Sequence, residues 1–225
     1  MKRSIIVLVA LISAFVTVRA QGPTTTWPYV YSDFEQGTVN FTKKGQKGGL
    51  FNICIDGARL HFIDGDLVKS ASPGEVMSVM IGKDLFQNVL GRMVKVLAKS
   101  EKCLVVEDNE IDFATLNSTE AAYGSSSNTL GNMSLSSLEG IGGSNSSSSL
   151  NHMELKHNKD QGKELPLIVK KYIVVKGHKI FCAKKDIMET APDKAAMKQY
   201  FKENSVKWKD EVSLMALGDF LYEQL

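Results

Sequence analysis

Along the first half of the chain, apolar and polar positions alternate in short runs parted by tight-turn dipeptides, the period-two pattern of half-buried strands. In Gly37–Thr42 the alternation puts Val39 and Phe41 on one face, and Lys43–Gly49 breaks the run. Leu50–Ile55, Arg59–Ile63 and Asp66–Ala71 are separated by Asp56-Gly57 and Asp64-Gly65. Asp-Gly between apolar runs is a strong hairpin signal, because both central residues of a type I′ turn need positive φ. These three runs therefore predict a meander. Further strands are expected at Val76–Ile81, Met93–Ala98, Lys102–Val106 and Ile111–Thr115, and Leu167–Val175 and Lys179–Ala183 flank a turn at Lys176-Gly177-His178.

Near the C-terminus the apolar period lengthens to three or four, the mark of helices. Thr190-Ala191-Pro192-Asp193 reads as a helix start with Thr190 as N-cap and Pro192 in the tolerant first turn. Met197, Tyr200 and Phe201 form its apolar face, Lys194, Lys198 and Lys202 lie beside it at i, i+4, i+8, and Asn204 suits a left-handed terminator. From Asp210 a second helix is expected, with Leu214, Leu217, Leu221 and Leu225 in one stripe that Val212, Met215 and Phe220 widen. Its acidic start, Asp210-Glu211, suits the positive end of a helix dipole. The predicted fold is α+β: an antiparallel β-meander, as an open sheet, a sandwich or a partial barrel, with a C-terminal helical hairpin.

Asn117–Leu150 differs in kind, since 12 of its 34 residues are Ser, 5 Gly and 4 Asn, with Glu120 and Glu139 the only charges. Such a tract has too little apolar area to offset the entropy of ordering it, which predicts a flexible insertion. At the other end, Lys2 and Arg3 precede an apolar run from Ile5 to Val18 and a small-residue site, Val18-Arg19-Ala20. This is the pattern of an export signal, too short for a comfortable membrane span. The expected organisation is a signal peptide over 1–20, an antiparallel β region over 21–116, the Ser/Gly/Asn-rich insertion over 117–150, a β-hairpin completing the same domain over 151–189, and the helical hairpin over 190–225.

Charge changes the picture only locally. The formal net charge is +2, and removal of Lys2, Arg3 and Arg19 with the signal leaves 24 basic against 25 acidic residues, or −1. A global attraction to nucleic acid or to anionic membrane is not supported, and no nucleic-acid partner is expected. Within Leu155–Lys209, however, 14 basic residues face 6 acidic ones. A lysine-rich surface for anionic lipid headgroups would explain that block, and so would an ordinary solvated face.

The opening Trp27-Pro28-Tyr29-Val30-Tyr31-Ser32-Asp33-Phe34-Glu35-Gln36-Gly37-Thr38-Val39-Asn40-Phe41, the later Leu60-His61-Phe62-Ile63-Asp64-Gly65-Asp66 and the ending Pro192-Asp193-Lys194 with Tyr200-Phe201-Lys202-Glu203-Asn204 resemble small exported proteins of Bacteroidota-type Gram-negative bacteria. The resemblance spans most of the chain outside the insertion and carries no catalytic signature and no assigned activity. It implies a bacterial host and a periplasmic, outer-membrane-associated or secreted location. It also makes the Asn-x-Ser/Thr triplets at Asn40, Asn117, Asn132 and Asn145 irrelevant as glycosylation sites.

Candidate chemistry is sparse. Cys54, Cys103 and Cys182 cannot all pair within one molecule, and each lies in an apolar stretch, so buried, inert thiols are expected. In His152-Met153-Glu154-Leu155-Lys156-His157 a strand would put His152 and Glu154 on one face but turn His157 away, and in a helix the histidines are five apart, not i, i+4. A metal site is not expected there. His178 and Cys182 could form a dyad only across a hairpin turn. Asp56, Asp64 and Asp66 invite a carboxylate reading, yet the glycines beside Asp56 and Asp64 explain them as turn residues, and Asp64-Gly65-Asp66 lacks the further acidic ligands of a calcium loop. No nucleophile elbow, phosphate loop or dinucleotide fingerprint occurs. No catalytic residue, metal or cofactor is therefore assigned. The preferred reading is a non-enzymatic binding or adaptor module of the bacterial cell envelope with an envelope protein as partner. The alternative is a hydrolase of unrecognised type using scattered His and Asp residues. A concave pocket gathering His61 with two or more of Asp56, Asp64 and Asp66 would favour the enzyme, and their dispersal over turns would favour the binder.

Overall fold

The computed structural model of the chain describes residues 24–25, 28–112, 114–115, 150–151 and 165–225. Their alternating segments build an open antiparallel sheet. Ten strands of four residues or more make it up: β2 (Glu35–Phe41), β3 (Gly45–Cys54), β4 (Arg59–Asp64), β5 (Leu67–Ser70), β6 (Val76–Ile81), β7 (Asp84–Val89), β8 (Arg92–Lys99), β9 (Cys103–Ile111), β11 (Leu165–Val175) and β12 (His178–Phe181). Two-residue additions, β1 (Thr24–Thr25) and β10 (Leu150–Asn151), lie on β11 and β5. The order across the sheet is β1-β11-β9-β8-β7-β6-β2-β3-β4-β5-β10, with β12 also on β11.

The expected meander is β3-β4-β5, and Val76–Ile81 is β6. Strand β3 starts at Gly45 rather than Leu50, so most of the expected break at Lys43–Gly49 is paired with β2. Further details differ. Asp56-Gly57 does not form a two-residue turn: Asp56–Ala58 is a 3-10 turn in which both Gly57 (φ 71°) and Ala58 (φ 48°) are left-handed. The strand expected at Lys102–Val106 runs on through the polar Glu107-Asp108-Asn109-Glu110 to Ile111 as β9, and the strand expected at Ile111–Thr115 does not form, Ala114 and Thr115 being helical. Strand β7 was not expected at all. It enters through Gly82-Lys83 and leaves through Leu90-Gly91, where φ is 53° and 86°. A leucine in the left-handed region carries no turn signal, because its Cβ disfavours that conformation.

Alternation sorts the sheet's two faces. On the inner face Val39, Phe51, Ile53, Leu60, Val79, Ile81, Phe86 and Met93 form one cluster. The Asp56–Ala58 turn packs back against β8 and β9, so Ile55 meets Ile111 and Leu167. Beyond this bend the same face of β8, β9 and β11 is covered by helices.

Three helices end the chain where the apolar pattern suggested two: α1 (Lys184–Thr190), α2 (Lys194–Glu203) and α3 (Glu211–Gln224). Thr190 belongs to the end of α1, its hydroxyl donating to the carbonyl of Asp186 at 2.9 Å. The N-cap of α2 is Asp193, whose carboxylate accepts from the backbone of Ala195 and Ala196 at 2.8 and 2.9 Å. Pro192 separates the two helices, since a residue before proline avoids the helical region and Ala191 is extended. Asp210 caps α3 through the backbone N–H of Ser213 at 2.8 Å.

Helix α3 lies on β8, β9 and β11 through Leu214, Leu217 and Leu221, all fully buried with Cys103, Val105, Ile173 and Val175. The approach is close at Gly218, where a Cβ would stand 2.5 Å from Cys103 Sγ. Helix α2 reaches the same core through Met197 and stacks Tyr200 on Phe220 of α3 at 4.4 Å. Among the described residues no helix is long and apolar enough to cross a membrane.

A helix of this length is marginal alone in water, so α3 owes its stability to this contact. Leu217→Ala is expected to cost about 2–5 kcal/mol, read as a shift of the denaturation midpoint. An unchanged midpoint would mean that α3 does not hold the core together.

Candidate functional site

The most organised polar cluster grows from Glu107–Glu110, the polar stretch of β9. Alternation puts Asp108 and Glu110 on the outer face, where they meet Arg92 of β8, Lys170 of β11 and Lys179 of β12. Asp108 is 1 % exposed. Arg92 donates to it through Nε at 2.9 Å and Nη2 at 2.8 Å, and Lys179 Nζ donates at 2.8 Å. Burial pushes the Asp108 carboxyl up, but the bonds from Arg92 and Lys179 outweigh it and hold its pKa below the usual carboxylate value. Glu110 pairs with Lys170 at 2.6 Å and lies 3.8 Å from Arg92. Lys179 Nζ also sits 4.1 Å over the Tyr172 ring, whose edge meets the exposed Phe181 at 5.6 Å. Each charge is answered within the cluster, so it acts as a clamp across four strands.

A groove of about 620 Å³ opens where β6 and β7 part. Their ladder runs only from Ser78↔Gln87 to Ile81↔Asp84, while β7 continues to Val89 against β8. Asn88 props the gap, donating from Nδ2 to the carbonyls of Pro73 and Val76 at 2.5 and 2.9 Å and accepting the Gly91 N–H at 2.9 Å. Thr42, Met77, Ser78 and Gln87 line the groove, and no charged side chain among the described residues does. Met77 is exposed within it, and Leu90, 75 % exposed, stands at the tip of the hairpin beside Gly91. Hydroxyls, carboxamides and a thioether can bind an uncharged ligand, and among the described lining residues no titratable side chain stands beside the Thr42 and Ser78 hydroxyls to activate them.

A smaller cavity of about 70 Å³ lies in the bend of the sheet, lined by Ile53, Ile55, Phe86, Met93, Lys95 and Asn109 among others. Asn109 Oδ1 has no hydrogen-bond partner among the described residues. Lys95 pairs with Asp84 at 3.0 Å, and the Tyr31 hydroxyl donates to the same carboxylate at 2.7 Å. The volume is far below that of ordinary ligand pockets.

The residues singled out in the sequence are not brought together. His61 is 2 % exposed, its Nδ1 2.8 Å from the Tyr29 hydroxyl and its Nε2 unpartnered among the described residues. Burial, helped by Arg59, lowers its pKa to about 4. Asp56 is half-buried on the 3-10 turn, its carboxyl raised by burial. Asp64, exposed at the β4–β5 turn, is held below the usual carboxylate range by Lys69, and Asp66 is exposed beside it. Cys54 and Cys103 are buried and Cys182 half-buried, a partial departure from the expectation of three buried thiols. Burial pushes the three thiols up to about 12, 11 and 12. None is a thiolate at neutral pH. His178 opens β12 and Cys182 follows its other end, about 13 Å along an extended chain. His152, Glu154 and His157 lie outside the described residues, as does nearly all of the Asn117–Leu150 tract. Among the described residues no three His, Cys, Asp or Glu side chains are grouped so as to hold a metal ion. Comparison with protein families, with characterised proteins and with solved structures finds no match to the chain.

Two predictions follow from the buried polar groups. Asp108→Asn leaves Arg92 and Lys179 facing a neutral amide and is expected to cost about 3–5 kcal/mol, as for other broken buried pairs. A loss below about 1 kcal/mol in chemical denaturation would show that the clamp is dispensable. For His61 the folded pKa is depressed, so between about pH 6.5 and 4 the unfolded chain binds the extra proton. The stability due to neutral His61 is complete above about pH 6.5 and is lost as pH falls toward 4. From pH 7.5 to 5 the protein should lose about 2 kcal/mol more than His61→Gln. Equal losses in the two would contradict the assignment.

Proposed function

We propose that the protein is an exported, non-enzymatic binding or adaptor module of the bacterial cell envelope. The observation that supports this reading is the contrast within the molecule. The residues able to do acid–base or nucleophilic chemistry are dispersed over turns or locked under other side chains, whereas the groove between β6 and β7 is lined by uncharged residues and braced by Asn88. Export is supported by Lys2, Arg3 and the apolar Ile5–Val18 run, and an envelope setting by the resemblance of the opening and closing phrases to exported bacterial proteins. In this reading the groove between β6 and β7 receives an uncharged segment of an envelope protein, with Met77 and Leu90 as its apolar contacts.

Affinity capture from envelope extracts is the test, run beside a Met77→Arg/Gln87→Arg variant that fills the groove with charge. Met77 is exposed and Gln87 half-buried at the rim, so the melting temperature should stay within a few degrees. Retention of the partner should fall at least tenfold. Undiminished retention by the variant would overturn the groove as the binding surface. Hydrolysis of an envelope substrate that disappears in Asp56→Asn or Asp64→Asn would overturn the non-enzymatic reading in favour of the hydrolase.

A further inference from the structure

From the geometry of α2 and the turn that follows it we infer a docking surface for an anionic phospholipid bilayer, independent of the groove. Lys194, Lys198 and Lys202 recur at every fourth residue of α2, all exposed, in a row of about 12 Å. Lys207 and Lys209 continue it, also exposed. Against these five lysines, residues 194–209 hold a single acid, Glu203, which accepts from Gln199. The two aspartates that bracket the stretch serve as helix N-caps, Asp193 for α2 and Asp210 for α3.

Several lysines on or beside the sheet are paired: Lys95, Lys102, Lys170, Lys171 and Lys179 each have a carboxylate partner, on Asp84, Glu223, Glu110, Glu211 and Asp108. Lys43, Lys47, Lys83 and Lys99 have no ion-pair partner among the described residues, but they are not gathered in a row on one helix. None of the five on the α2 side has an ion-pair partner among the described residues. Residues 194–209 carry a net +4, and Asp193 and Asp210 at the two ends bring the stretch to +2, equal to the formal charge of the whole chain, so the remaining residues balance to zero and the positive excess lies here.

The stretch contains no arginine. Ammonium groups on flexible stems act as point charges and lack the fork that reads one carboxylate or phosphate bidentately. That favours a surface of many phosphates over a discrete anion site or a shaped protein epitope. Tyr200, Phe201 and Trp208 on this side are half-buried and pack against the helix–sheet core, and Val212 just beyond is 68 % exposed. The attraction to a bilayer is therefore electrostatic, carried by the lysines.

The test is co-sedimentation of the full chain with vesicles of phosphatidylcholine containing 30 mol% phosphatidylglycerol, and with phosphatidylcholine alone, at low and high salt. Anionic vesicles should retain the protein at least tenfold better than neutral ones, with retention lost at high salt. Each lysine near such a surface contributes about fivefold, so Lys194→Gln/Lys198→Gln/Lys202→Gln should weaken binding about a hundredfold. Removing three exposed charges elsewhere, as Lys43→Gln/Lys47→Gln/Lys83→Gln, should change it less than threefold. Equal retention by neutral vesicles, no effect of the α2 triple variant, or an equal effect of the control variant overturns the inference. Competition by millimolar inorganic phosphate would also overturn it, in favour of a discrete anion site. A melting temperature measured for both variants separates loss of charge from loss of fold.

Discussion

A carboxylate sealed beneath the outer face of the sheet sets the terms for much of this molecule. Burying Asp108 is tolerable only because Arg92 and Lys179 reach it from two other strands. That requirement fixes β8, β9 and β12 relative to one another, and Lys170 with Glu110 adds β11. The same strand, β9, carries Cys103 and Val105 on its opposite face, where α3 docks. Polar chemistry on one side of β9 and close packing on the other therefore depend on a single register. The absence of a side chain at Gly218 lets the helix come down onto a strand so placed.

What the residues disclosed in advance follows from which forces act locally. Strands bounded by glycine turns, such as Val76–Ile81 between Gly74 and Gly82, were legible because a short apolar run so bounded has few other ways to be buried. Strand β9 runs five residues past the Val106 at which the alternation ends it, since Glu107–Glu110 looks like a solvated break until the cations of distant strands are brought opposite. Strand β7 was invisible for a different reason, its exit turn being Leu90-Gly91, where tertiary context holds a leucine in a conformation it disfavours. The start of α2 was misplaced by three residues, because Thr190 and Asp193 are both good caps and only Pro192 between them decides.

The candidate surfaces were less legible than the fold. Thr42, Ser78 and Gln87 are unremarked polar residues far apart in the chain, and they become a groove only when β6 and β7 part company. Asn88 offered no signal of its role as the prop. The lysine spacing of α2 was visible from the outset, but its meaning rests on pairing, and pairing is a property of the folded arrangement. Lysines of similar sequence surroundings divide into those answered by carboxylates on the sheet and those left open to solvent.

The ladder between β9 and β11 starts at Ile111↔Leu167 and runs nine pairs to Cys103↔Val175. The chain thus leaves and rejoins the sheet on neighbouring strands, the Asp112 N–H donating to the Pro166 carbonyl at 2.8 Å just past the last pair. Between those points Leu150 and Asn151 pair with β5, toward the opposite end of the strand order. A reporter or tag spliced into this connection would leave the nine pairs of β9 and β11 untouched, but it would have to preserve the reach of the chain from Ile111 out to β5 and back to Leu165.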